Sequence, residues 1–199
     1  MIHPPYTSAP HNGAMSNYRR AAVPGATYFF TVALAEGRIR VLVEHADALR
    51  AAFVATVRGH PVEVDAMVVL PDHLHAVWRL PEGDADFPLR WRKLKARFTR
   101  AVGAAGRVGG SPTLRAWPRS ASKVRKGERG LWQRRYWEHM IRDAEDWRRH
   151  VEYCWFNPVR HGLVGAARDW PLSSFHRDVR RGMVSEDWGG TAAEGDFGE

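Results

Sequence analysis

The order of apolar segments predicts an α+β domain, an antiparallel sheet with helices packed on one face. Three observations carry this. Four short runs rich in aromatic and β-branched residues read as strands. Three longer stretches place apolar residues at helical spacing. The two kinds follow one another as strand, helix, strand, strand, helix, strand, helix, an order that suits a sheet with its helices segregated to one side.

TYFFTVAL (27–34) is aromatic and β-branched and reads as the first strand. HADALRAAFVATVRGH (45–60) sets Leu49, Phe53, Val54 and Val57 on one side of a helix, which Gly59 is expected to end. VEVDAMVVL (62–70) and LHAVWRL (74–80) form two strands joined at Pro71-Asp72. FPLRWRKLKARFTRAV (87–102) is a second helix, and residues 103–130, rich in Gly, Ser, Pro and Arg, read as an extended loop. RYWEHMIR (135–142) gives the last strand and DAEDWRRHVEYCWFN (143–157) the last helix. That helix is capped by Asp143 and expected to stop at Asn157, because Pro158 disfavours helical geometry in the residue before it. The element order is that of ferredoxin-like folds. Residues 1–17, rich in Pro, Ser, Asn and Gly, are expected to be a flexible arm, 18–190 the domain and 191–199 a flexible tail.

At 199 residues, 44% of them hydrophobic, the chain is long enough for one substantial core. No apolar run reaches the roughly 18 residues that span a bilayer, and the first twenty residues lack the apolar stretch of a secretory signal. The expected compartment is the cytoplasm. One cysteine, Cys154, excludes an intrachain disulfide and reads as core filler. The expected state is a monomer, with a dimer as the alternative.

The net charge of +8 is unevenly placed. Fifteen of the thirty Lys and Arg lie between Arg90 and Arg135, where Glu128 is the one acid, so this segment carries about +14 and the rest about −6. Trp91, Phe98, Trp117 and Trp132 are interleaved with these cations. Cations with aromatic rings between them suit a phosphate backbone and stacked bases. The candidates for DNA contact are Arg19, Arg20, Arg92, Lys93, Lys95, Arg97, Arg134 and Arg135.

Inside MVVLPDHLHAVWRL (67–80), His73 and His75 are one residue apart. On a strand they share one face, while Leu74, Ala76 and Trp78 share the other. One face reads as core and the other as half of a metal site. In the last helix Trp147, Val151 and Cys154 form an apolar stripe, and Tyr153 and Asn157 share a polar face with Asp146, Arg149 and His150. Two imidazoles, an amide oxygen and a phenol can converge if this helix packs beside the histidine strand. Imidazole and amide ligands leave positions on Mg²⁺ or Mn²⁺ open to the oxygens of a scissile phosphate. A phenol with a pKa near 10 is a poor nucleophile at neutral pH, so a metal, a base or water must help remove its proton. Such a set can make a covalent phosphotyrosine.

PDHLHAVWRLPEGDADF, RRYWEHMIRD, VEYCWFNPVRHGLV and WPLSSFHRDVRRG resemble the REP-associated tyrosine transposases, relatives of the single-tyrosine HUH transposases of bacterial insertion sequences. The resemblance runs from SNYRRAAVPGATYFFTVAL to EDWGG, nearly the whole chain. It implies that His73 and His75 are the HUH histidines with Leu74 as the hydrophobic U, that Tyr153 is the nucleophile and that Asn157 is the third metal ligand. It further implies a ferredoxin-like catalytic domain that recognises hairpins of repetitive extragenic palindromes and cuts or joins single-stranded DNA beside them. The arm before Tyr18 and the loop at 103–130 are longer than the family pattern requires.

His150, one turn before Tyr153, is a candidate for proton transfer or phosphate contact, with a plain surface residue as the other reading. His139 in WEHMI can approach the site or serve as a structural histidine. Two other functions compete with strand transfer. A hairpin-binding regulator on the same fold would need none of His73, His75, Tyr153 and Asn157. A metal-dependent hydrolase would use water and acidic ligands.

Overall fold

A computed structural model describes residues 22–35, 40–109, 130–190 and 197–198. The expected arm at 1–17, most of the basic loop and most of the expected tail lie outside these residues.

The first strand, β1 (Thr27–Ala33), decides the architecture because both of its sides carry large apolar rings that are buried. Tyr28, Phe30 and Val32 fill one buried cluster, and Phe29 fills another on the opposite face. A strand apolar on both sides must lie centrally with a layer on each face. β1 pairs antiparallel with β3 (His73–Arg79) on one edge and with β4 (Trp137–Met140) on the other. β2 (Glu63–Val69) pairs antiparallel with β3, giving the sheet order β2-β3-β1-β4. A short helix α1 (Val41–Glu44) and α2 (Ala46–Val57) link β1 to β2, and α3 (Phe87–Gly109) links β3 to β4. The chain closes with α4 (Ala144–Arg160), a 3₁₀ turn at Ala167–Asp169 and α5 (Phe175–Arg180).

The α+β class and the antiparallel sheet are as the sequence predicts, but the layers differ in one respect. α2 and α3 cover one face, where Leu49, Trp91, Leu94 and Phe98 meet Phe30, Leu74 and Trp78. Trp78 and Trp91 stack with ring centroids 4.0 Å apart. α4 covers the other face, so the helices are not confined to one side: Val151, Tyr153 and Cys154 pack with Phe29, Val68 and Val77. The reason is the composition of β1. Leaving Phe29 in water would forfeit about 2–3 kcal/mol of burial.

Three helix boundaries or faces also depart from expectation. In α2, Val54 is 47% exposed and Ala52 and Thr56 turn inward instead, small side chains that allow close approach to α3. The second helix does not stop at 102. Gly103 and Gly106 each cost about 1 kcal/mol relative to Ala but remove no hydrogen bond, and no proline interrupts the segment before 112. The last helix continues three residues past Asn157 with Pro158 inside it. Proline removes one N–H there, while the His161 N–H still reaches the Asn157 carbonyl at 3.0 Å and the Leu163 N–H the Pro158 carbonyl at 2.9 Å. Asp143 caps the start as expected, its carboxylate accepting the Asp146 N–H at 2.8 Å. Among the described residues no helix is long and apolar enough to cross a membrane.

Candidate active site

β3 splits its side chains as its period requires. Leu74, Ala76 and Trp78 enter the α2/α3 layer, which leaves His73 and His75 on the α4 side, their rings 4.9 Å apart. In register with them on β1 are Ala33, opposite His73, and Thr31, opposite His75. Both imidazoles are held through Nδ1. His73 Nδ1 is 2.8 Å from Asp72 Oδ1; a carboxylate only accepts, so Nδ1 carries the proton. His75 Nδ1 is 2.9 Å from Thr31 Oγ1. The Thr31 hydroxyl donates its one hydrogen to the Phe197 carbonyl, so it accepts from His75 and the proton is again on Nδ1. Both rings therefore present the lone pair on Nε2. An imidazole whose other nitrogen donates to a carboxylate or hydroxyl is the arrangement that orients metal-binding histidines.

α4 lays three residues along this pair, at i, i+4 and i+8. The Tyr153 ring lies 5.1 Å from that of His75, and the His161 ring lies 5.2 Å from that of His73. Asn157, fully buried, stands between them on the same helical stripe. The polar face expected of this helix is therefore its inward face: Tyr153 is 2% exposed, and Asp146 and His150 are buried too. Two further groups contact Tyr153. The Phe197 ring stacks on it at 3.7 Å with the planes 11° apart, and the Arg160 guanidinium lies 5.4 Å from the ring centroid. Cys154, in the same helix, is fully buried, and burial pushes its thiol well above the ordinary range, as a core residue requires.

One turn before Tyr153, His150 directs Nδ1 to the Asp146 carbonyl at 2.7 Å. A carbonyl only accepts, so His150 also keeps its lone pair on Nε2. Burial lowers its pKa, partly opposed by that hydrogen bond and reinforced by His139, so the ring is neutral. His139 stacks on His150 at 4.7 Å and donates from Nε2 to Asp146 Oδ2 at 2.8 Å. His139, Asp146 and His150 bring ligating atoms within 4.8 Å of one another, a spacing that could hold a metal ion. Asp146, however, also accepts from Arg142 through N–H and Nε, and from Arg149 Nη2. Burial works to raise its pKa, but the hydrogen bonds from His139 and Arg142 and the nearby imidazoles outweigh it and hold the carboxyl well below the usual range. With that many cationic donors, the cluster fits an ion-pair network that ties α4 to β4 better than it fits a cation site. The strand pair is the better donor set.

The basic candidates divide. Arg19 and Arg20 lie outside the described residues. Arg92, Lys95 and Arg134 line one cavity between α3 and the 130–136 segment. Arg97 instead donates to Thr56 Oγ1 on α2 at 3.3 Å, and Lys93 is half-buried, while Arg135 is exposed. Arg90, at the edge of the charged segment, is buried and structural: it grips the Asp84 carboxylate at 2.6 and 3.1 Å and the carbonyls of His60 and Pro61.

Sequence reasoning did not single out Thr31, Asp72, Arg160, His161 or Phe197. Asp72 was readable, since it directly precedes His73. Thr31 needs the strand register. Arg160 and His161 needed the helix to pass Pro158, and Phe197 lies far along the chain from everything it touches.

No family model matches the chain. It is 42% identical over 185 residues to the REP-associated tyrosine transposase of Escherichia coli K12, an alignment that covers 93% of this chain and 98% of that protein. A Haemophilus influenzae protein whose name places it in the same family is 42% identical over 176 residues, covering 88% and 94%. The solved structure of a REP-associated tyrosine transposase bound to a REP hairpin superposes with a TM-score of 0.78 at 42% identity, covering 93% of this chain and 98% of that one.

Proposed function

The chain belongs to the REP-associated tyrosine transposases, and on that premise we propose that it binds hairpin DNA and cuts and rejoins single strands beside the hairpin through Tyr153. The observation that carries this reading is the contact between Tyr153 on α4 and His75 on β3, which brings the phenol to the face that holds both histidines.

In the forward step the Tyr153 oxygen bonds to phosphorus while the bond from phosphorus to the 3′ oxygen breaks. The products are a 5′-phosphotyrosine and a 3′-hydroxyl, and attack by that hydroxyl on the phosphotyrosine rejoins the strand. The phenolic proton needs an acceptor, since the ordinary pKa near 10 keeps it on at neutral pH. His150 has the right form for it: neutral, with Nδ1–H committed to the Asp146 carbonyl and Nε2 as the basic nitrogen. Its proton then serves the departing 3′ oxygen. Arg160, beside the Tyr153 ring, offers a cation to the negative charge on phosphate.

His73, His75 and Asn157 are the residues that would hold a divalent ion, and Mg²⁺ or Mn²⁺ suits a set that leaves positions for phosphate oxygens. Such an ion supplies Lewis-acid polarisation of the scissile phosphate. The donor set fits: each imidazole is oriented through Nδ1 by Asp72 or Thr31.

The test uses labelled single-stranded hairpins from the same genome. Wild type should cut them and leave a covalent protein–DNA adduct. Tyr153→Phe should bind the same hairpin within about twofold and yield neither product. Cutting by Tyr153→Phe near the wild-type rate would assign the chemistry to water. Binding without any cutting by wild type would favour the hairpin-binding regulator.

A further inference from the structure

On the other side of β4 from Tyr153, a cavity of about 600 Å³ opens between α3 and the 130–136 segment. That volume lies in the range of small-molecule sites, and its walls are of two kinds. Trp91, Trp132 and Tyr136 give ring surface; Arg92, Lys95, Arg100 and Arg134 give positive charge, and among the described residues no carboxylate lines it. The Lys95 ammonium lies 5.2 Å from the Tyr136 ring centroid and 5.6 Å from that of Trp132, and donates to the Gln133 carbonyl at 3.1 Å. The walls are fixed. The Trp132 indole N–H donates to Thr99 Oγ1 at 3.1 Å, Gln133 N–H donates to Ala33 on β1 at 3.0 Å, and Ala35 N–H donates to Leu131 at 2.8 Å. Aromatic faces interleaved with cations suit a flat, electron-rich ring attached to a phosphate.

The cavity also has a route to the chemistry. Tyr136 faces it, and the next residue, Trp137, turns to the opposite face of the sheet. There it meets Phe29 at 5.8 Å, pairs in register with Thr31, and so adjoins the His75 partner. A strand that crossed the β4 edge at Trp137 would run from this cavity toward the face that holds Tyr153.

We propose that this cavity is a nucleotide pocket that takes one unpaired base of the strand cut at Tyr153, stacked on Tyr136 with its phosphate held by the surrounding cations. The inference rests on the strand-transfer reading for the identity of the DNA, but the pocket is tested separately from it.

Full-length protein is titrated with single deoxynucleoside 5′-monophosphates and with inorganic phosphate, followed by tryptophan fluorescence. Nucleotides should bind and phosphate should bind at least tenfold more weakly. Tyr136→Ala should weaken nucleotide binding by about fivefold to a hundredfold, the range of one base–aromatic stack. Because Tyr136 also packs on Phe30 and Trp91, Lys95→Met provides a second variant that keeps the ring wall and should lower the salt dependence of hairpin binding by about 0.7 per lost phosphate contact. Wild type is then measured on hairpins carrying an abasic site at each unpaired flank position in turn. One position should cost about fivefold to a hundredfold, and that penalty should vanish in Tyr136→Ala. Equal binding of phosphate and nucleotide, unchanged nucleotide affinity in both variants, or no abasic penalty at any position would overturn the pocket. Nucleotide binding through Tyr136 by a protein that neither binds nor cuts hairpins would uphold the pocket and overturn the strand-transfer reading.

Discussion

The two faces of the sheet are made by the same strands and do opposite work. Toward α2 and α3, β1 and β3 send Tyr28, Phe30, Val32, Leu74, Ala76 and Trp78, all apolar or aromatic. Toward α4 they send Phe29 and Val77 together with Thr31, His73 and His75, and α4 answers with Asp146, His150, Tyr153 and Asn157, all buried. Buried polar groups cost free energy unless they are hydrogen-bonded, so the second face holds its imidazoles and carboxylate by hydrogen bonds where the first holds its rings by packing. A helix pair and a Trp78–Trp91 stack hold the sheet, which frees the opposite side for groups chosen by chemistry.

Three substitutions break or sharpen this division. Phe30→Ala, on the α2/α3 side, should lose about 3–5 kcal/mol in urea unfolding, the usual cost of deleting a buried aromatic ring. Tyr153→Phe should lose far less, and equal losses would abolish the distinction between the faces. Next in size, Thr31→Val strips His75 of its acceptor while leaving His73, His75 and Asn157 in place. It should cost about 1–3 kcal/mol for the stranded imidazole N–H and lower Mn²⁺ affinity about tenfold to a hundredfold in an electron paramagnetic resonance titration. Unchanged Mn²⁺ binding would remove Thr31 from the orienting role.

The smallest effect concerns Asp146 and pH. Its folded pKa lies below the unfolded value, so its contribution is complete above the ordinary aspartate range and is lost as pH falls through that range toward the folded value. Thermal unfolding of wild type should therefore shift down between pH 5 and pH 3 more steeply than that of Asp146→Asn. Parallel curves would show that the carboxylate is not held by the charges around it.

Much of this was legible in the chain because it is written in short periods. The two-residue period of β3 separated His73 and His75 from Leu74 and Trp78, and the four-residue spacing of a helix joined Tyr153 to Asn157. What escaped depends on longer distances. Thr31 is 44 residues from His75, and only the β1–β3 register brings them together. The inward turn of the polar face of α4 could not be read from α4, since it follows from Phe29 needing cover on a different strand. His161 escaped because the restriction that Pro158 places on the residue before it reads as a stop, whereas burial of Trp155 and Pro158 carries the helix on. In α2 the apolar count pointed to Val54, but close packing against α3 selects Ala52 and Thr56.

β1 is the first strand made, yet its neighbours come late: β3 begins 40 residues after its end, and β4 more than 100. During synthesis, then, the strand with the most aromatic surface waits for both edges to be filled, and closing such distant pairs is what makes assembly of a sheet slow. The order of emergence separates the functional parts as well. A growing chain carries its histidine pair well before it carries Tyr153, so the strand half of the proposed site is made before the helix that completes it.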